Sequence, residues 1–179
     1  MKLYIKQRVF SWRDKFTVKD ESGVDRWFAQ GELFSWGRKL HIYDSYGREA
    51  AFIRQKLLSM LRRYYIEING YVYTMRKELT LLRPKYSIEG LPWQMSGDFW
   101  AHEYELHDGR IQIMRMSKRW FTWGDSYELD IYDPANELMC LCIALTIDCM
   151  HADADSAAHS AHHHRHHNMR HHHKHHHHR

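Results

Sequence analysis

The segment Leu138-Met-Cys-Leu-Cys-Ile-Ala-Leu145, with Ile147 just beyond it, constrains this chain more than any other feature. Asp133 and Pro134 precede it as an N-cap and a first-turn proline, so it reads as a helix. Apolar residues fall on every side of that helix, so it has to be enclosed all round. It is about half the roughly 20 residues needed to cross a bilayer, which leaves the interior of a protein as its surroundings. A helix laid on one open sheet would leave an apolar flank in water. Cys140, Cys142 and Cys149 belong to the same segment. At about 1.5 Å rise per residue, Cys142 and Cys149 stand about 10 Å apart, beyond disulfide reach. A C-x-C pair on a helix does not converge on a metal, so all three read as reduced, packed thiols.

The wall that could enclose such a helix is written upstream. Three nonapeptides share one pattern: Phe10-Ser-Trp-Arg-Asp-Lys-Phe-Thr-Val18, Phe34-Ser-Trp-Gly-Arg-Lys-Leu-His-Ile42 and Phe121-Thr-Trp-Gly-Asp-Ser-Tyr-Glu-Leu129. Each ends in apolar/polar alternation, the period of a half-buried strand. The same spacing recurs where Lys56 precedes Tyr65, Lys77 precedes Tyr86 and Lys118 precedes Tyr127. Turn residues close each unit at Ser22-Gly23, Tyr46-Gly47, Asn69-Gly70, Glu89-Gly90, Asp108-Gly109 and Asp133-Pro134. Six units, each an incoming strand, a loop and an outgoing strand, predict about twelve strands. A closed barrel of that size is wider than its own side chains can fill, and the apolar helix supplies the missing core. The predicted fold is therefore all-β with one central helix: a closed antiparallel barrel of about twelve strands enclosing a hydrophobic C-terminal α-helix.

The body, residues 1–150, and the remainder, residues 151–179, differ in kind. Of 17 histidines in the 179-residue chain, 14 lie in residues 151–179, beside four basic and two acidic residues. The formal charge of +4 thereby becomes 22 basic against 20 acidic residues in the body. That balance is too mild for a DNA-coating protein, so nucleic acid ranks behind lipid as a partner. The His-rich tail cannot build a core and reads as disordered. The N-terminus carries no apolar run of signal-peptide length, and no segment is long enough to span a membrane. The expected location is cytoplasmic, with peripheral attachment to membranes open to it.

Several separate blocks resemble the LURP-one-related family, within the Tubby C-terminal-like superfamily that also includes phospholipid scramblases. They are Phe10-Ser-Trp-Arg-Asp-Lys-Phe-Thr-Val-Lys-Asp20, Ala51-Phe-Ile-Arg-Gln-Lys-Leu-Leu58, Gly97-Asp-Phe-Trp-Ala-His-Glu-Tyr104, Ser117-Lys-Arg-Trp-Phe-Thr-Trp-Gly-Asp-Ser-Tyr127 and Ala-Leu-Thr-Ile-Asp148. The resemblance implies a twelve-strand barrel around a central helix, in agreement with the count above. It implies no reaction. Phosphoinositide binding by tubby relatives is an analogy between folds.

Enzyme signatures are absent: there is no G-x-S-x-G, P-loop, G-x-G-x-x-G, H-E-x-x-H or C-x-x-C. The best acid-base set, His102-Glu103 with Glu105 and Asp98, sits on an alternating strand that points His102 and Glu103 opposite ways. The expectation is a non-enzymatic binding or scaffolding module. In a meander the within-hairpin loops gather at one barrel end, bringing Arg38, Lys39, Arg62, Arg63, Arg83, Lys85 and Arg119 together as a candidate site for anionic lipid headgroups. The between-unit turns, with Asp20, Glu21, Asp44, Glu89 and Asp108, make the other end acidic. Trp12, Trp36 and Trp123 occupy equivalent loop positions and read as barrel-end plugs first, ligand contacts second; Met60, Leu81 and Leu82 share that ambiguity. Lys56, Lys77 and Lys118 read as stems lying on the barrel exterior. A protein partner is the scaffolding alternative. The module requires no cofactor, but metal buffering is open to the tail: His162, His163, His164, His166, His167, His171, His172, His173, His175, His176, His177 and His178 suit Zn, Ni or Cu.

Overall fold

The protein is described from a computed structural model that covers residues 1–6, 15–32, 35–59, 61–78, 85–98, 103–121 and 124–151; the side chains at 6, 119–121 and 124–125 fall outside it. Twelve strands follow one another: β1 (Lys2–Lys6), β2 (Lys15–Asp20), β3 (Asp25–Gly31), β4 (Lys39–Asp44), β5 (Glu49–Gln55), β6 (Arg63–Ile68), β7 (Tyr71–Lys77), β8 (Lys85–Glu89), β9 (Trp93–Asp98), β10 (Glu103–Asp108), β11 (Ile111–Phe121) and β12 (Gly124–Ile131). Each pairs antiparallel with its neighbours in sequence, and β12 closes on β1 with Leu3 opposite Leu129. The barrel has no open edge.

Alternation decides which side chains point inward. Across the register, Leu40, Ile53 and Ile66 face one another on β4, β5 and β6, while Met95, Leu106 and Met114 do so on β9, β10 and β11. All six are buried. Fully burying a side chain of this size contributes about 1.5–3 kcal/mol. Register shifts at Val18/Lys19, Ile42/Tyr43 and Leu106/His107 add the local twist that a closing sheet needs. Tight turns follow the predicted chemistry, with Asn69 at φ 50° and Gly70 at φ 79° between β6 and β7. Gly97 on β9 serves a close approach instead, since a Cβ there would stand 2.2 Å from the Glu103 carbonyl and 2.6 Å from the Tyr104 ring. Its missing side chain lets the buried Tyr104 ring lie across β9, edge-on to Tyr86.

After β12 the chain makes one 3-10 turn, Pro134–Asn136, capped by the Asp133 carboxylate on the Ala135 amide at 3.0 Å. The α-helix α1 follows over residues 137–151. The compact unit that contains the barrel runs Met1–Thr146. Within it every residue from Cys140 to Thr146 is buried, which covers all faces of two helical turns. Only the ring of inward-facing strand residues in that unit can surround a helix in this way, so α1 is enclosed as predicted up to Thr146. The one hydroxyl among them, Thr146, donates to the Cys142 carbonyl at 2.7 Å. Burial pushes the Cys140 thiol up to about 12 and the Cys142 thiol further, so both stay protonated. The last described residue of α1, His151, is buried.

The entry of α1 is locked by charge. Glu137, only 7% exposed, accepts from Arg26 through Nε at 3.2 Å and Nη2 at 2.7 Å, and from the Trp27 indole at 2.8 Å. Pairing with Glu137 raises the Arg26 pKa above its ordinary value. Two substitutions grade this architecture. Leu141→Asp places a charge in a dry core at a cost of several kcal/mol and should yield no cooperatively melting protein. Glu137→Ala, which leaves a half-buried indole N–H without its acceptor, should fold but lose about 1–3 kcal/mol in a denaturant titration.

Candidate functional site

Strict up-and-down order sends the connections β1–β2, β3–β4, β5–β6, β7–β8, β9–β10 and β11–β12 from one barrel end, the loop end. The others leave from the opposite end, the turn end, where α1 enters. Acidic side chains collect at the turn end as predicted, partly neutralised by Lys19 on Asp25 and by Arg48 on Asp44 at 2.7 Å.

The strand ends from β3 to β8 build a basic rim at the loop end. Backbone hydrogen bonds continue each hairpin past its last ladder pair: Glu32 to Lys39 (3.2 Å), Gln55 to Arg38 (2.8 Å), Lys56 to Arg63 (2.9 Å) and Glu78 to Lys85 (2.8 Å). Arg38, Lys39, Arg62, Arg63 and Lys85 are thus brought to one rim. Arg83 lies outside the described residues; Arg119 belongs to β11, but its side chain lies outside them.

Register puts two cations opposite one another twice on the outer face. Lys39 is paired with Arg54, and Arg63 with Arg76. Such juxtaposition costs stability unless something offsets it. Lys39 is offset by Glu32 at 2.9 Å, and Arg54 by Glu67 at 2.6 Å with its guanidinium 4.4 Å over the Tyr65 ring. Arg76 donates to the Ser87 hydroxyl at 2.9 Å and lies 3.3 Å from Glu89. Arg63 differs: its Nε is buried and has no hydrogen-bond acceptor among the described residues. Of the predicted rim cations, Lys39 is therefore already engaged, whereas Arg63 holds an unmet donor.

Sequence reasoning missed Glu32. Its carboxylate takes Lys39 and also His41 Nε2 at 3.1 Å, while His41 Nδ1 faces Glu49 at 3.2 Å and the ring stacks on Phe52 at 4.5 Å. The hydrogen bond from Lys39, reinforced by His41, holds the Glu32 carboxyl below its usual range. A carboxylate so depressed stabilises the fold above its ordinary titration range, and that contribution disappears as pH falls through the depressed value. Glu32→Gln should therefore cost up to about 1 kcal/mol near neutral pH, with the gap closing on acidification when melting is followed against pH.

The predicted plugs are corrected at one position. Trp36 is 86% exposed and plugs nothing. It sits in a turn set by Ser35 Oγ donating to the Gly37 carbonyl at 2.7 Å and by Gly37 at φ 80°. Trp12, Trp123, Met60, Leu81 and Leu82 lie outside the described residues. Lys56 does lie along the exterior, 5.8 Å from the Tyr65 ring centroid.

The acid-base set is described only in part. Glu103 faces Arg115 at 3.6 Å, Glu105 lies 4.0 Å from His107, both carboxylates are exposed, and His102 is outside the described residues. Among the described residues, no group of three or more His, Cys, Asp or Glu side chains could hold a metal, and no helix is long and apolar enough to cross a membrane. The candidate metal ligands from His162 to His178 all lie outside the described residues.

Comparison with known proteins places this geometry. The profile of the LURP-one-related family matches residues 1–148. The uncharacterised protein YxjI of Bacillus subtilis (strain 168) is 38% identical over 149 residues, which is 83% of this chain and 92% of that protein. A solved structure of an Arabidopsis thaliana protein superposes with a TM-score of 0.53 at 12% identity, covering 81% of this chain and 90% of that one, a likeness of fold alone.

Proposed function

The chain belongs to the LURP-one-related family, and from that premise we propose that it is a non-catalytic binding module whose loop-end rim takes an anionic, phosphate-bearing lipid headgroup. The observation that carries this reading is Arg63, whose buried Nε lacks an acceptor among the described residues while its cross-strand neighbour is Arg76. A phosphate group at the rim brings negative charge beside this strand end and offsets the like-charge pair. Guanidinium geometry favours such bidentate contacts. Arg62 and Lys85 flank the same strand ends and add attraction of about 1 kcal/mol each at an anionic surface. In this reading the protein attaches peripherally from the cytoplasm.

Replacing Arg62, Arg63 and Lys85 with Ser should weaken binding to phosphatidylserine-containing vesicles by about 100-fold in co-sedimentation. The melting temperature should hold, because rim charges contribute little to stability. Residual binding should also respond less to added salt. Equal binding by the triple variant would defeat the proposal and leave the rim as a solubilising surface.

A second, separable capacity rests on composition: 13 histidines lie in residues 152–179. We propose that these imidazoles take Zn, Ni or Cu. Ending the chain after the buried His151 should abolish metal affinity in titration calorimetry, while leaving the salt-dependent vesicle binding of the barrel intact.

A further inference from the structure

Beside the basic rim, the loop end carries an apolar tip that no described part of the fold covers. Trp36 is 86% exposed, Leu57 44% and Leu58 fully so, whereas every leucine on the described strands is buried. Leu58 also holds a positive φ of 56°, a conformation that side chains with a Cβ rarely adopt. The two connections that carry these residues meet at their base. Gly37 packs so tightly on Leu57 that a Cβ there would stand 2.7 Å from Leu57 Cδ2. The two connections are tied together by the Arg38 amide on Gln55 Oε1 at 3.0 Å and the Gln55 amide on the Arg38 carbonyl at 2.8 Å. Arg38, Lys56 and Arg62 border the patch in sequence and in register.

We propose that Trp36, Leu57 and Leu58 form a wedge that enters the headgroup and upper acyl region of an anionic bilayer, with the bordering cations left at the phosphate level. The inference rests on the rim reading above and commits it to a membrane surface in place of a soluble phosphate. Charge complementarity selects the occupant: an apolar tip ringed by cations matches an apolar interior faced by anionic headgroups. Indole is the side chain best suited to that boundary, with a flat apolar body and one N–H donor. The backbone at the base of the wedge is held, since the Ser35–Gly37 turn and the Gln55 side chain keep Gly37 against Leu57. It therefore loses little freedom on insertion.

The test uses the full chain at about pH 8 with a chelator, so that the His-rich segment is neutral and metal-free. Vesicles are phosphatidylcholine alone, or phosphatidylcholine with phosphatidylserine, each also prepared with brominated acyl chains. The wild type should partition to the anionic vesicles with bromine quenching of tryptophan fluorescence. The Trp36→Ser/Leu58→Ser variant should lose at least about tenfold in partition together with the quenching, with an unchanged melting temperature and unchanged salt dependence. Arg62→Ser/Arg63→Ser should lose the salt dependence instead. If the tip variant binds and quenches as the wild type does, the wedge is overturned while the rim survives. If the wild type binds no anionic vesicle, both readings fall. Lipid-free self-association that disappears in the tip variant would overturn the wedge by assigning the patch to a second copy of the chain.

Discussion

A helix that is apolar on every face can exist in water only if something surrounds it, and most of this structure follows from that requirement. Cys140 through Thr146 are buried without exception, so no side of α1 was left to a single covering layer. A sheet can surround a helix only by closing. Closing a wall wide enough for a helix takes about the twelve strands observed, fewer being filled by their own side chains. Closure also removes the sheet edges that would otherwise invite pairing with another chain. The thiols of Cys140 and Cys142, pushed upward by burial, are consequences of the same enclosure and carry no redox argument.

A helix threaded into a barrel makes the two ends unequal. The turn end receives the N-terminus of α1, where the helix dipole favours negative charge. The acidic turns and Glu137 supply it, and Arg26 and Trp27 hold Glu137 in place. The opposite end does not receive the N-terminus of α1, and its connections can carry residues chosen for other reasons. Arg63 with its unmet donor and Trp36 standing in solvent both lie there.

Local chemistry made much of the fold legible in the sequence. Period-2 alternation identified strands, Asn69-Gly70 marked a turn, Asp133-Pro134 marked the helix entry, and the apolar run beyond it demanded a closed wall. The rim cations could be gathered too, because a meander leaves no choice about which loops share an end. Pairing across strands was not legible. Glu32 meets Lys39 and His41 only because β3 and β4 pair in one particular register, and a one-residue slip would send these side chains to the other face. Arg26 and Glu137 are 111 positions apart, beyond any pattern a sequence window contains. Trp36 was misread because its repeat partners Trp12 and Trp123 suggested a shared structural role, whereas the turn around Gly37 holds this indole out.

The charges and the apolar tip at the loop end have to be weighed together. Arg63 opposite Arg76 carries the wrong sign for a stabilising cross-strand pair, and its buried Nε has no acceptor among the described residues, where an unsatisfied N–H costs about 1–3 kcal/mol more than a satisfied one. Leu58 pays both for its left-handed backbone and for its exposure, a further cost of order 1 kcal/mol or more. Neither cost is offset by a contact among the described residues. Water relieves only part of the first and none of the second; a soluble anion relieves the first alone. An anionic surface with an apolar interior offsets both at once, and for that reason the proposed ligand of this rim is a bilayer and not a free phosphate.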